Sequence, residues 1–188
     1  MLIGVLALQG DYSLHVEILN RNKINNILIK DPLELSTIDG LIIPGGESTV
    51  ILKLLHKFNF VNTLNKFALK KNIYGTCAGA ILMSKSTDDK IKTLNYINVK
   101  SYRNYWGRQI NSFTDDVKLN FSKKSFLAHF IRAPRFVCES SDLTILGNYK
   151  DDPILIRNNK HLISSFHPEM TNDFSIHRYF INMVKNEV

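Results

Sequence analysis

From residue 2 to about residue 85, short and wholly apolar runs alternate with helix-length amphipathic stretches. Strands and helices in that alternation pack as an open, mostly parallel sheet with helices on both faces, a three-layer αβα arrangement of the α/β class. Residues 2–8, 26–29, 40–43 and 72–74 read as buried strands. Helices are expected over 12–21, from Ser48 or Thr49, over about 61–70 and over 78–83, with Asp11 a possible cap for the first and Ser48 or Thr49 for the second. Asp31-Pro32 interrupts the pattern after the second strand. Beyond about Lys85 the apolar runs shorten, to 98–102, 109–113, 117–121, 128–131, 136–138, 144–149 and 154–156, and this half reads as antiparallel additions to the sheet. A last strand over 162–166 and an amphipathic helix over about 174–185 close the chain. No repeat or low-complexity linker divides it, so residues 1–188 are expected to form a single domain.

In open parallel sheets ligands bind beyond the carboxyl ends of the strands. Gln9-Gly10, Gly45-Gly46 and Cys77 all fall there, and three motifs carry the chemistry. Gly75-Thr76-Cys77-Ala78-Gly79 joins a strand to a helix with small residues on both sides of a thiol, the pattern of a nucleophile elbow. At a helix start, unpaired amides and the helix dipole favour the nucleophilic thiolate, which makes Cys77 the candidate nucleophile. Such a thiol needs a general base and the base needs an orienting group. His167 and Glu169 in Ser165-Phe166-His167-Pro168-Glu169 supply both, because Pro168 keeps His167 extended and residues two apart in an extended segment face the same side. Alone, a histidine ending a strand is more often structural; beside the elbow it gains weight. The third motif, Pro44-Gly45-Gly46-Glu47-Ser48, is a turn whose unobstructed amides suit an oxyanion hole, with the Gly46 and Ala78 N–H groups as donors.

Together these motifs resemble the class I (triad) glutamine amidotransferases. Within that superfamily three further stretches are similar to the glutaminase subunit of the two-component pyridoxal phosphate synthase. They are Gly4-Val5-Leu6-Ala7-Leu8-Gln9-Gly10, the Arg103-Asn104-x-x-Gly107-Arg108-Gln109 run with Asn111 in place of the family's Asp, and Phe130-Ile131-Arg132-Ala133-Pro134. The resemblance spans residues 4–169. It implies hydrolysis of L-glutamine to L-glutamate and ammonia through a Cys77, His167 and Glu169 triad and a thioester, with ammonia passed to a pyridoxal phosphate synthase subunit in a hetero-oligomer. It also implies that Gly46, Glu47, Ser48, Arg103, Ile131 and Arg132 bind glutamine; an arginine is the usual anchor for an amino-acid carboxylate. His15, which the family shares, is expected to be structural or at an interface.

The alternatives are the same glutaminase feeding another synthase, such as that of imidazole glycerol phosphate, a binding module that keeps the fold without the activity, and a cysteine peptidase or γ-glutamyl hydrolase. The first fits the LALQGD and FIRAP segments poorly. Net charge is +7, yet the lysines are scattered and no basic helix is interleaved with aromatics, which argues against nucleic acid. No apolar run spans a bilayer, so no membrane partner is expected. Two cysteines in 188 residues form no disulfide framework, in keeping with a reducing cytoplasm. No spacing of His, Cys, Asp or Glu resembles a metal-ligand set, and no cofactor is implied. Cys138, His56, His129, His161 and His177 are expected in core or on surface.

Overall fold

The computed structural model describes residues 1–87, 92–103, 105 and 112–188. Its first half builds the expected parallel strands: β1 (Ile3–Leu6), β2 (Asn26–Ile29), β3 (Gly40–Ile43) and β4 (Asn72–Thr76). Between and after them run α1 (Tyr12–Arg21), α2 (Ser48–Lys57), α3 (Phe60–Ala68) and α4 (Ala78–Met83). The second half adds β5 (Lys85–Ser86), β6 (Val99–Tyr102), β7 (Phe113–Leu119), β8 (Phe126–Phe130), β9 (Arg135–Cys138), β10 (Thr144–Tyr149), β11 (Asp152–Arg157), β12 (His161–Ser164) and the closing helix α5 (Ser175–Lys185).

Nine strands form one sheet in the order β2-β1-β3-β4-β12-β11-β10-β7-β8, and β5-β6-β9 form a second. The strands from β2 to β12 in that order are parallel; β11, β10, β7 and β8 extend the edge antiparallel. Alternation along each parallel strand splits the apolar side chains between two layers. Ile3, Val5, Ile42, Tyr74 and Leu162 pack against Leu19 of α1 and Ile176 and Phe180 of α5. Leu6, Leu41, Ile43, Ile73 and Ile163 pack on the other face against Ile51 and Leu55 of α2, Phe60 and Leu64 of α3 and Leu82 of α4. Each such side chain, fully buried, contributes about 1.5–3 kcal/mol.

One topological detail assembles the site. The chain leaves β4, builds the antiparallel extension, and returns as β12 directly beside β4, with Ser164 opposite Thr76. The Cys77 N–H donates to the Ser164 carbonyl at 2.9 Å, so residues that follow β4 and β12 emerge side by side.

Local differences from the sequence reading have local causes. β1 stops at Leu6 because the chain bends into the Gln9-Gly10 turn. Asp31-Pro32 opens a 3₁₀ helix, Pro32–Thr37, in which Asp31 and Glu34 cap one another's backbone. The cap of α2 is Glu47, not Ser48 or Thr49: its carboxylate accepts from the Thr49 hydroxyl at 3.0 Å and from the Thr49 N–H at 3.4 Å. Asp11 occupies the cap position of α1 without a side-chain cap bond. Phe113 and residues 117–119 belong to one strand, β7, which ends before 120–121; residues 109–111 lie outside the described residues, as do Asn104, Gly107 and Arg108.

Candidate active site

Cys77 stands between β4 and α4 with φ 45° and ψ −100°, a backbone conformation rarely held by a side-chain-bearing residue. The neighbouring glycines make it possible. A Cβ on Gly79 would lie 2.1 Å from the Ile43 carbonyl oxygen of β3, and one on Gly75 would lie 2.7 Å from the Gly79 carbonyl carbon. Only glycine at both positions lets the helix start this close to the sheet. The Cys77 Sγ sits 3.7 Å from the Ile131 carbonyl oxygen, at the mouth of the loop after β8.

His167 follows β12 and donates its backbone N–H to the His129 carbonyl at 3.0 Å, which fixes the ring beside the elbow. Its Nδ1 is 2.8 Å from Glu169 Oε1, and the Glu169 side chain is wholly buried. Burial alone would push the His167 ring down. Hydrogen bonds to Cys77 and Glu169, with the charges of both, overcome this and hold it well above the ordinary histidine range. For Glu169 burial again opposes the charged form, and His15 followed by the His167 hydrogen bond and charge outweighs it, holding the carboxyl at about 2.

A pocket of about 280 Å³ opens over these groups. Cys77, Ala78 and His167 form one side, and Gly46, Glu47, Ser48, Arg103, Ile131 and Arg132 also line it, so every expected site residue but the buried Glu169 reaches it. At the Gly45-Gly46 peptide the Asp11 N–H donates to the Gly45 carbonyl at 3.1 Å. Gly10, at φ 100°, admits that carbonyl, which would lie 1.8 Å from a Cβ there. Arg103 donates to Glu47 Oε1 at 3.0 Å. Arg132, held at φ 46° in the loop after Ile131, lines the pocket and has no hydrogen bond or ion pair among the described residues.

Sequence reasoning placed Gln9-Gly10 at the ligand end of the sheet without giving Gln9 a role, and it did not assign Asp11 or Ile81 to the pocket. Gln9 Oε1 accepts from the Glu47 N–H at 2.9 Å, joining the turn after β1 to the turn after β3; the Gln9-Gly10 pair at a strand end was the available signal. Asp11 Oδ2 approaches His167 Nδ1 at 3.8 Å. Asp11, His167 and Glu169 thus bring ligand-type atoms within 4.8 Å of one another, but the shared nitrogen is already engaged by Glu169. His15 is wholly buried behind Glu169, its Nε2 3.5 Å from Oε2.

An elbow cysteine, a histidine and a carboxylate at the strand ends of such a sheet define a glutamine amidotransferase-like hydrolase site. The sequence matches the SNO glutamine amidotransferase family over residues 5–186, and the chain belongs to that family. It is 41% identical to the pyridoxal 5'-phosphate synthase subunit PdxT of Thermosipho africanus over 98% of this chain and 100% of that protein. The PdxT of Francisella tularensis subsp. novicida is also 41% identical, over 96% of this chain and 98% of its own length. A crystal structure of a glutamine amidotransferase superposes with a TM-score of 0.92 at 37% identity, covering 97% of this chain and 98% of that one. PurLQS from Thermotoga maritima shares the fold, with a TM-score of 0.68 at 16% identity over 98% of this chain and 97% of that one. No helix among the described residues is long and apolar enough to cross a membrane.

Proposed function

We propose that this chain, residues 1–188 acting as one domain, is the glutaminase subunit of a cytoplasmic pyridoxal 5'-phosphate synthase, working with the synthase subunit that its PdxT relatives serve. The observation that carries the reading is that Cys77 and His167 share one pocket while Glu169, buried behind it, holds the His167 ring at 2.8 Å, in a chain of this family. Cys77 Sγ attacks the γ-amide carbon of L-glutamine, and the Gly46 and Ala78 N–H groups stabilise the oxyanion. As the C–N bond breaks, His167 gives its proton to the leaving nitrogen and ammonia departs, leaving a γ-glutamyl thioester. Water, deprotonated by His167, then cleaves the C–S bond; glutamate leaves and the thiol regains a proton. Glu169 fixes the ring and stabilises the imidazolium. Arg132 holds the substrate carboxylate, while Arg103, steadied by Glu47, shapes the wall beside it with Ser48 and Ile131.

The test is to co-purify the chain with the synthase subunit of its own cell and supply glutamine labelled with ¹⁵N in the amide. Incorporation of that label into pyridoxal phosphate, with equivalent glutamate released, is the expected result. Synthesis from free ammonium salt but not from glutamine would overturn the assignment.

A further inference from the structure

Glu169 spends one oxygen on His167, and its other oxygen is the less ordinary feature. Oε2 is buried and has no hydrogen bond within normal length among the described residues. Facing it at 3.5 Å is Nε2 of His15, from α1. The same nitrogen lies 3.3 Å from the Thr76 hydroxyl, and His15 Nδ1 lies 2.9 Å from Nε2 of His177, on α5. His177 Nδ1 is buried with no partner. Both rings are fully buried, and the triad does not use them.

The geometry points to a positioning relay in which His177 Nε2–H donates to His15 Nδ1 and His15 Nε2–H faces Glu169 Oε2, so that two histidines from α1 and α5 hold the triad carboxylate charged and aimed at His167. This rests on the reading above that Glu169 orients His167. A single proton lies between the two rings, and the tautomers decide where it points. In the proposed arrangement His177 Nδ1 keeps a bare lone pair, and Glu169 Oε2 has an N–H facing it at 3.5 Å. In the reverse arrangement His15 Nδ1–H donates to His177, which turns a lone pair of His15 toward the carboxylate and strands a buried N–H at His177 Nδ1. Leaving a buried charged oxygen without a donor costs more than leaving a ring nitrogen bare.

Two neutral rings suit this task better than one cation. Burial lowers His15, against the raising charges of Glu169 and Asp11 and with the lowering charge of His167. Burial likewise brings His177 to about 3. His15 is then an N–H donor at neutral pH, supporting the carboxylate without neutralising it or competing with the His167 imidazolium. The surroundings keep the relay in place. The Tyr74 ring edge and the Phe174 face pack on His177, Thr76 closes the β4 side, and the Tyr74 hydroxyl is engaged by Ser164 at 3.0 Å.

Nitrogen-15 NMR of the full chain labelled at histidine tests the tautomers without any activity. The relay requires protons on Nε2 of His15 and His177 at neutral pH; a proton on His15 Nδ1 overturns it. The kinetic test compares His15→Leu, which lacks the donor, with His15→Gln, which can return an N–H to the same oxygen, in complex with the synthase subunit. His15→Leu should lose about tenfold in kcat with KM nearly unchanged, and its acid limb should rise by about half a pH unit because a carboxylate deprived of a donor protonates sooner. His15→Gln should recover most of both effects, and His177→Phe should show a smaller loss in the same direction. Equal losses in the Leu and Gln variants, with the parent's pH profile, would mean that His15 only fills space. If His15→Leu does not fold, the NMR result decides alone. A parent chain without glutaminase activity would refute the functional proposal while leaving the relay to the NMR test.

Discussion

The turn carrying Cys77 and the turn at Gly45-Gly46 both end parallel strands beside one pocket, yet different atoms confine them. Around Cys77 the confinement is chiefly backbone: a Cβ on Gly79 would meet Ile43 carbonyl oxygen and carbon at 2.1 and 2.8 Å, and one on Gly75 would meet Gly79 and Ala80 main chain at 2.7 and 2.8 Å beside Met83 Sδ at 2.6 Å. Around Gly45 it is the His167 ring, whose Cε1 would lie 2.4 Å from a Cβ, and around Gly46 it is chiefly the Gln9 side chain, with Oε1 at 2.6 Å. One N–H···O bond, from Asp11, ties down the Gly45 carbonyl. The elbow therefore holds Cys77 rigidly, whereas the Gly45-Gly46 peptide can flip at the cost of about one hydrogen bond, on the order of 1 kcal/mol, with the Glu47 N–H still bound to Gln9.

The largest effect tests the fixed half. Cys77→Ala should lower glutaminase by about 10⁴-fold or more while leaving the melting curve intact, since it removes the reacting atom and little core. Full activity in that variant would remove the elbow from the chemistry. Gly79→Ala should cost about 3–5 kcal/mol of stability, because the β3 backbone cannot yield as a side chain can. Gly46→Ala, crowded mainly by Gln9, should cost less in a denaturant titration and more in kcat. A reversed order of stabilities would break the contrast between the turns.

The adjustable half predicts coupling to the partner. If the synthase subunit turns the Gly46 N–H toward the oxyanion, saturating partner should raise kcat by about 100- to 1000-fold, the contribution of one oxyanion donor. Equal kcat with and without partner would make the turn as fixed as the elbow; a change confined to KM would place the effect in the glutamine pocket. Between the two arginines, Arg132→Ala should raise KM by about 1.5–3 kcal/mol of lost charge-assisted binding, and Arg103→Ala by less, because Arg103 already serves Glu47. Steady-state kinetics with varied glutamine distinguishes them.

Acid should weaken the elbow's support. His161 begins β12, opposite Ile73 of β4, and burial, aided by Lys160, holds it at about 4. Its folded value lies below the ordinary 6.5, so its neutral form stabilises the fold above that pH, and the contribution is lost as pH falls from 6.5 toward 4. At pH 5 the loss is roughly 2 kcal/mol. His161→Asn should flatten the melting temperature between pH 7 and pH 5; an unchanged slope would contradict the assignment.

The same contrast governs how much could be read from the sequence. The parallel strands were legible because each is a continuous apolar run, and the elbow because its geometry demands Gly75 and Gly79 locally. What depends on distant partners was not. The bond from the Glu47 N–H to Gln9 Oε1 requires β1 and β3 to be neighbours, which no local pattern states. His15 and His177 meet across 162 positions, and each alone looks like an ordinary core histidine. The antiparallel extension was visible as strands but not in its order, since β7 pairs with β8 and β10 through register and twist that short alternating runs leave open.

The central claim is that Cys77 forms a covalent bond to the side-chain amide carbon of glutamine. Mass spectrometry of the complex after incubation with a chloromethyl ketone analogue of glutamine tests it directly. The account predicts one adduct per chain, located on the Cys77 peptide, slowed by competing glutamine and absent from Cys77→Ala. Labelling of Cys138 instead, or of Cys77 at a rate that glutamine does not slow, would contradict it.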